Sequence, residues 1–293
     1  MGFSGYNSFD LESLAENAFK MGDYESAARF FHHLAVYYSM MNDKANWRGF
    51  SMKSGECYML AAERMSDLIR AITLCLKAVR IFKDVGDTSR ADLCGLKAWE
   101  YYVALRGKSD VEWSVEGVHV LKLLGDFLAD NGDLERAALI YWDAAEKALD
   151  MGKLHLAGGL YRDAGDSYRR VGRMELAVKS YLRAAEVYFE CQEYFESAWH
   201  YCEVGFMLIC LNRLEEALEA SEKAESACYK GQIEIFLRDL SRVCKLLSQG
   251  SANEARRIWD KIKLKMHGEN VRLIENSFKA IKDAEKLQHN RRQ

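Results

Sequence analysis

Proline is absent from all 293 residues. Inside a helix a proline costs about 3 kcal/mol or more, so its absence leaves the chain free to form long uninterrupted helices. It also excludes the proline-rich linkers that tether loosely connected domains. Paired-cysteine motifs are missing too. Cys57, Cys75, Cys94, Cys191, Cys202, Cys210, Cys228 and Cys244 include no Cys-x-x-Cys, and most sit in apolar helical runs. The expectation is buried free thiols in a reducing, cytoplasmic setting. No apolar run approaches the ~18 residues that read as a membrane span, and the start has no basic-then-apolar leader. Met1-Gly2 is followed by Tyr6 rather than the Ser or Thr that myristoylation needs at that position.

Catalytic signatures are equally scarce. Seven histidines (His32, His33, His119, His155, His200, His267, His289) form no His-Glu-x-x-His and no cluster at metal-ligand spacing. Neighbouring His32 and His33 read as a packed or edge pair in an apolar helix. Gly158-Gly159 lies mid-helix and reads as close helix packing, because a phosphate loop would need a preceding strand and Gly-x-Gly-x-x-Gly. No Gly-x-Ser-x-Gly elbow occurs. The expectation is a non-enzyme with no cofactor and no metal.

What is present is a repeat. Turns recur as Gly132-Asp-Leu-Glu-Arg-Ala137, Gly152-Lys-Leu-His-Leu-Ala157, Gly172-Arg-Met-Glu-Leu-Ala177, Gln192-Glu-Tyr-Phe-Glu-Ser197 and Asn212-Arg-Leu-Glu-Glu-Ala217. Nine residues past the first four stand Tyr141, Tyr161, Tyr181 and Tyr201. Four further on stand Ala145, Gly165, Ala185 and Gly205. The step is one helix plus one turn, so alternate helices run antiparallel and the structural unit is a hairpin of about 40 residues. That is longer than the ~34 of a tetratricopeptide repeat. Small residues let helices approach, and the tyrosines fill the wider gaps with their hydroxyls at a wet edge.

Less regular helices are expected before this array, at Phe9–Met21, Tyr24–Met40, Lys44–Ala62, Asp67–Lys83, Thr88–Arg106 and Asp110–Asp130. After it come Gln232–Ser248, Asn253–Lys265 and Asn270–Leu287. The fold class is therefore all-α: a right-handed superhelical solenoid of about fourteen antiparallel helices in tetratricopeptide-like hairpins, closed by a C-terminal helical bundle. The expected organisation is a flexible segment 1–8, a repeat solenoid 9–229 and the bundle 230–293.

Charge is nearly balanced overall, −3, but unevenly spread. From Gly250 onward eleven basic residues face six acidic ones, which makes the tail about +5 and the remainder about −8. Glu215, Glu216, Glu219, Glu222 and Glu225 line the last repeat helix. Two readings stand, solvated helix faces or docking surfaces of opposite sign. The basic end lacks interleaved aromatics, so nucleic acid is not an expected partner. Phe3, Tyr6 and Phe9 near the start read either as a tail folded on the first helix or as a weak membrane-surface contact, peripheral at most.

Tyr24–Leu60, with its Met-Asn-Asp turn and Trp47, and above all Leu214–Lys263 (LEEALEASEKAESACYKGQIEIFLRDLSRVCKLLSQGSANEARRIWDKIK) resemble the soluble NSF attachment protein (SNAP) family. The resemblance spans almost the whole chain but rests on no single diagnostic motif. It implies a non-enzymatic cytoplasmic adaptor whose concave face holds a SNARE-like helical bundle. Such an adaptor recruits an NSF-type AAA+ ATPase for complex disassembly in membrane trafficking. Arg136 matches a partner-contacting lysine of the family, whereas Leu176 stands at the corresponding position two helices later. Arg162, Lys179 and Arg183 are the other basic candidates by spacing. The family's acidic C-terminus is replaced by a basic one, so ATPase docking would fall to Glu215, Glu219 and Glu222. The family's apolar attachment loop is replaced by the tight Met21-Gly22-Asp23 turn. The alternative is a general tetratricopeptide-like scaffold that binds another protein or peptide in its concave groove.

Overall fold

In the computed structural model, residues 8–292 are described, apart from 109, 110, 234 and 267. Among them the chain is all α-helix with no strand: α1 (Ser8–Lys20), α2 (Tyr24–Met40), α3 (Lys44–Glu63), α4 (Leu68–Asp84), α5 (Thr88–Arg106), α6 (Val115–Asp130), α7 (Leu134–Asp150), α8 (Leu154–Arg170), α9 (Met174–Glu190), α10 (Tyr194–Cys210), α11 (Leu214–Lys230), α12 (Ile235–Ser248), α13 (Ala252–Ile262), a 3₁₀ turn Lys263–Lys265 and α14 (Glu269–Arg292). Fourteen helices match the expected number. Most ends agree with the sequence reading to within a residue or two. The largest departures are α14, which runs on to Arg292, and α6, which begins at Val115 because Ser114 caps it, accepting from the Gly117 amide at 3.1 Å.

Two compact units result, one up to Asn131 and one from Gly132. In the first, α1 to α5 pack each on the next, and α6 lies on α4 and α5. Aspartates make the helix starts. Asp23, Asp43, Asp67 and Asp87 accept from backbone amides of α2, α3, α4 and α5, satisfying donors that a helix start leaves orphaned.

The second unit holds the regular array. α7 through α12 pack serially, and α10 also touches α12 and α14. Covered on so many sides, α10 is buried almost continuously from Ser197 to Ile209, which is why it is apolar all round rather than amphipathic. The position after Tyr229, expected to part repeat from bundle, lies inside this unit. There α14 seats Leu273, Ile274, Phe278 and Ile281 in the same core as Phe206, Met207 and Trp259. Trp259 is fully buried and donates from its indole nitrogen to Glu275 at 2.7 Å.

The two repeat columns meet in the core. At Gly165 an added Cβ would lie 2.8 Å from the Tyr181 ring, so the small residue makes room for the next tyrosine. At Tyr161 and Tyr181 the hydroxyls correct the sequence expectation: both side chains are fully buried and neither hydroxyl sits at a wet edge. Tyr161 donates to Glu146 at 2.7 Å and Tyr181 donates to Asp166, each acid fifteen residues earlier. Asp126, Glu146, Asp166 and Glu186 form a column of their own at the same twenty-residue step. A buried hydroxyl needs such a partner. Burial, together with Glu146 at Tyr161 and with Glu203 and Asp166 at Tyr181, pushes these two hydroxyls far above the ordinary tyrosine range; burial, with Glu186, Glu219 and Glu190 nearby, lifts Tyr201 to about 12.

Candidate functional site

Helices α9 and α11 each pack against α10 and scarcely against each other. Between them lies a groove of about 420 Å³ floored by Val204 and Leu208 of α10. Leu176, Val178 and Leu182 form its α9 wall, and Glu216, Glu219, Ala220 and Lys223 its α11 wall. The spacing follows from helix geometry, since residues three and four apart share a face. Leu176 is 43% exposed, an apolar side chain left open to solvent on the wall of a concave apolar surface.

Charge closes the groove's upper end. Arg213, in the turn before α11, donates to Glu175 on α9 at 2.6 Å and to Glu216 at 2.7 Å. One repeat earlier, Arg173 makes the same bond to Glu135 on α7 at 2.7 Å. Each arginine occupies the helix-start position that Asp133 uses as a cap for α7. The array has thus exchanged a local capping bond for a bond between alternate helices. Arg213 in turn holds the Glu216 carboxyl below the usual range. Lower in the groove, Lys223 pairs with Glu219 at 2.8 Å. Lys179 behaves differently: its ammonium stands 4.6 Å over the Trp142 ring of α7, with no carboxylate partner among the described residues.

The predicted site residues scatter over this scaffold. Lys179 lines the groove, and Arg183 follows one turn later on α9, paired with Glu186 at 3.0 Å and lying 5.6 Å from the Tyr161 ring. Arg136 is in the first turn of α7 beside Asp133, at 3.3 Å. Arg162 lies on α8, bound to Asp163 at 2.8 Å, and is not part of the groove. Of the acidic candidates, Glu219 lines the groove. Glu222 faces Lys245 of α12 at 3.8 Å, and Glu215 remains exposed on the first turn of α11. Phe3 and Tyr6 lie outside the described residues, and Phe9 falls in the first turn of α1.

A buried polar network escaped the sequence reading. The His200 ring stacks between Tyr181 and Tyr188 at 5.6 and 5.8 Å, and its Nδ1 lies 2.8 Å from Glu203 Oε2. Arg169 of α8 reaches Glu203 at 3.5 Å and donates to Asn270 of α14 at 2.9 Å. This network pins the last helix to the array. The sequence signal was weak: one histidine three residues before a glutamate in an otherwise apolar helix. Among the described residues, no group of three or more His, Cys, Asp or Glu side chains is placed to hold a metal ion. No helix among them is long and apolar enough to cross a membrane.

No family model matches the chain, and no curated protein matches it. Solved structures do resemble it. Aspartyl phosphate phosphatase F from Bacillus subtilis aligns over 98% of this chain and 77% of its own, at 15% identity and a TM-score of 0.43. A Rap protein complexed with competence and sporulation factor aligns over 89% and 70%, at 14% identity and 0.41. BtubC from P. vanneervenii aligns over 78% and 92%, at 15% identity and 0.42. At TM-scores below 0.5 the likeness carries no functional argument.

Proposed function

We propose that the chain is a helical-repeat scaffold that captures a segment of another polypeptide in the groove between α9 and α11. The observation that carries this reading is the groove itself: an apolar floor and α9 side with Leu176 left exposed, faced by an α11 wall of Glu216, Glu219, Ala220 and Lys223. Its volume falls in the ordinary range of binding clefts, ~300–1,000 Å³, and corresponds to about three benzene-sized groups at roughly 150 Å³ each. Apolar side chains removed from water there contribute about 1.5–3 kcal/mol apiece.

The finer reading, a SNAP-like adaptor that grips an acidic SNARE-like bundle and recruits an NSF-type ATPase, would need a basic concave face. The groove supplies three cations, Lys179, Arg213 and Lys223, and three carboxylates, Glu175, Glu216 and Glu219. Two of the cations are already bound to those acids. That balance of charge favours the general scaffold.

Photo-crosslinking amino acids at Leu176 and, as an exposed control, at Phe195 test the site. Polypeptide adducts are expected at position 176 and should be lost when Leu182→Trp fills the groove. Adducts that persist in the filled variant, or that form only at position 195, would overturn the reading.

A further inference from the structure

We infer that the groove takes its partner as an amphipathic α-helix rather than as an extended peptide, with an acidic residue flanking the helix's apolar stripe. This rests on the groove reading above and names the conformation and charge of what fills it. The first argument is the chemistry of the lining. An extended peptide brings backbone N–H and C=O groups that must find partners once buried. The walls here are α-helices, whose own backbone groups are already paired. The lining holds no Ser, Thr, Asn, Gln or Tyr to serve as a clamp. Its Arg213 and Lys223 are engaged with Glu175, Glu216 and Glu219. A helix satisfies its backbone internally and asks the groove only for apolar contact.

Length gives the second argument. Leu176 to Leu182 spans six residues of α9 and Glu216 to Lys223 spans seven of α11, about 9 and 10.5 Å at 1.5 Å per residue. Anchors at i, i+3 or i+4, and i+7 of a guest helix cover about 10.5 Å on the same geometry. The cavity of about 420 Å³ accommodates three such side chains.

Charge supplies the third. Among the described residues Lys179 is the groove cation without a carboxylate partner, its ammonium lying against Trp142. It stands on the α9 wall between Leu176 and Leu182, so a guest acid lying beside the apolar stripe would reach it. Glutamate or aspartate next to the stripe is therefore selected, and lysine or arginine at that position is disfavoured.

The test is a selection of binders to the full chain from two displayed libraries of 16-residue peptides. One is helix-biased, with alanine, glutamate and lysine in the fixed positions. The other is made extended by proline in alternate fixed positions. Enrichment is expected from the helix-biased library alone, with an apolar i, i+3/i+4, i+7 stripe flanked by an acid. Leu176→Glu should weaken the selected peptides at least tenfold, and Lys179→Glu should shift the flanking preference from acid to base. Extended peptides that bind and lose affinity on Leu176→Glu would overturn the helical guest while leaving the groove as the site. Winners indifferent to Leu176→Glu, or no winners from either library, would overturn the groove reading as well.

Discussion

Gln192 sits in a left-handed turn at φ 66°, where Gly132, Gly152 and Gly172 stand in the equivalent turns. A side chain there costs about 1 kcal/mol relative to glycine. Gln192→Gly is accordingly expected to raise stability by about 0.5–1 kcal/mol, read as a higher urea midpoint with unchanged slope. Arg169 is expected to behave oppositely. Its guanidinium is the cation beside Glu203, which is buried on α10. Arg169→Met would leave that carboxylate only the His200 ring at 2.8 Å as a partner, a loss of up to about 3–5 kcal/mol for a broken buried pair. A double variant with Glu203→Gln should recover part of the loss; no recovery would show that the two side chains do not act as a pair. Neither residue was legible in advance. Gln192 stood in the repeat as one more turn, and nothing local marked Arg169, because the contact that gives it weight comes from α14, a hundred residues later.

At the scale of the helix, the two glycines Gly159 and Gly165 on α8 should respond with opposite sign. Gly165 faces the Tyr181 ring at 2.8 Å, whereas Gly159 has only the Tyr188 hydroxyl within reach, at 3.7 Å. Gly165→Ala therefore overpacks the interface, at about 1–3 kcal/mol. Gly159→Ala gains helix propensity, at about 0.5–1 kcal/mol. Thermal denaturation of the two variants separates these outcomes. The contact of α14 with α13 should be pH-sensitive. Hydrogen bonds from Arg256, the larger effect, and from Trp259 hold Glu275 below the ordinary glutamate range. A carboxyl with a depressed folded pKa stabilises above its unfolded pKa, and that contribution is lost as pH falls through the folded value. Acid unfolding of Glu275→Gln should therefore show a shallower loss of stability across that window than the parent chain. The helices themselves were legible because turn residues, tyrosines and small residues recur in one frame. The acid column at Glu146 and Asp166 recurred just as regularly. It reads as ordinary surface charge until the buried tyrosine hydroxyls that need it are in place.

For each unit as a whole, the sequence made the all-α repeat plain but not the cleft. The groove arises because α9 and α11 stay apart over α10, a tertiary spacing that no local pattern encodes. Its wall positions do not repeat either. The register that gives Arg136 on α7 gives Leu176 on α9 and Glu216 on α11, so a search for a basic column meets a leucine where the site's most exposed apolar group stands. That leucine read as a missing contact base, and it is the residue on which the binding proposal now turns.

The central claim is that this cleft is where a partner polypeptide binds, and methyl NMR addresses it directly. The full chain, labelled at leucine and valine methyls, is titrated with a peptide recovered by the selection described above. The account predicts concentration-dependent shifts at Leu176, Val178, Leu182, Val204 and Leu208, with Leu93, Leu96 and Val103 of the first unit unmoved. Shifts confined to other methyls, with those five silent at saturation, would contradict it.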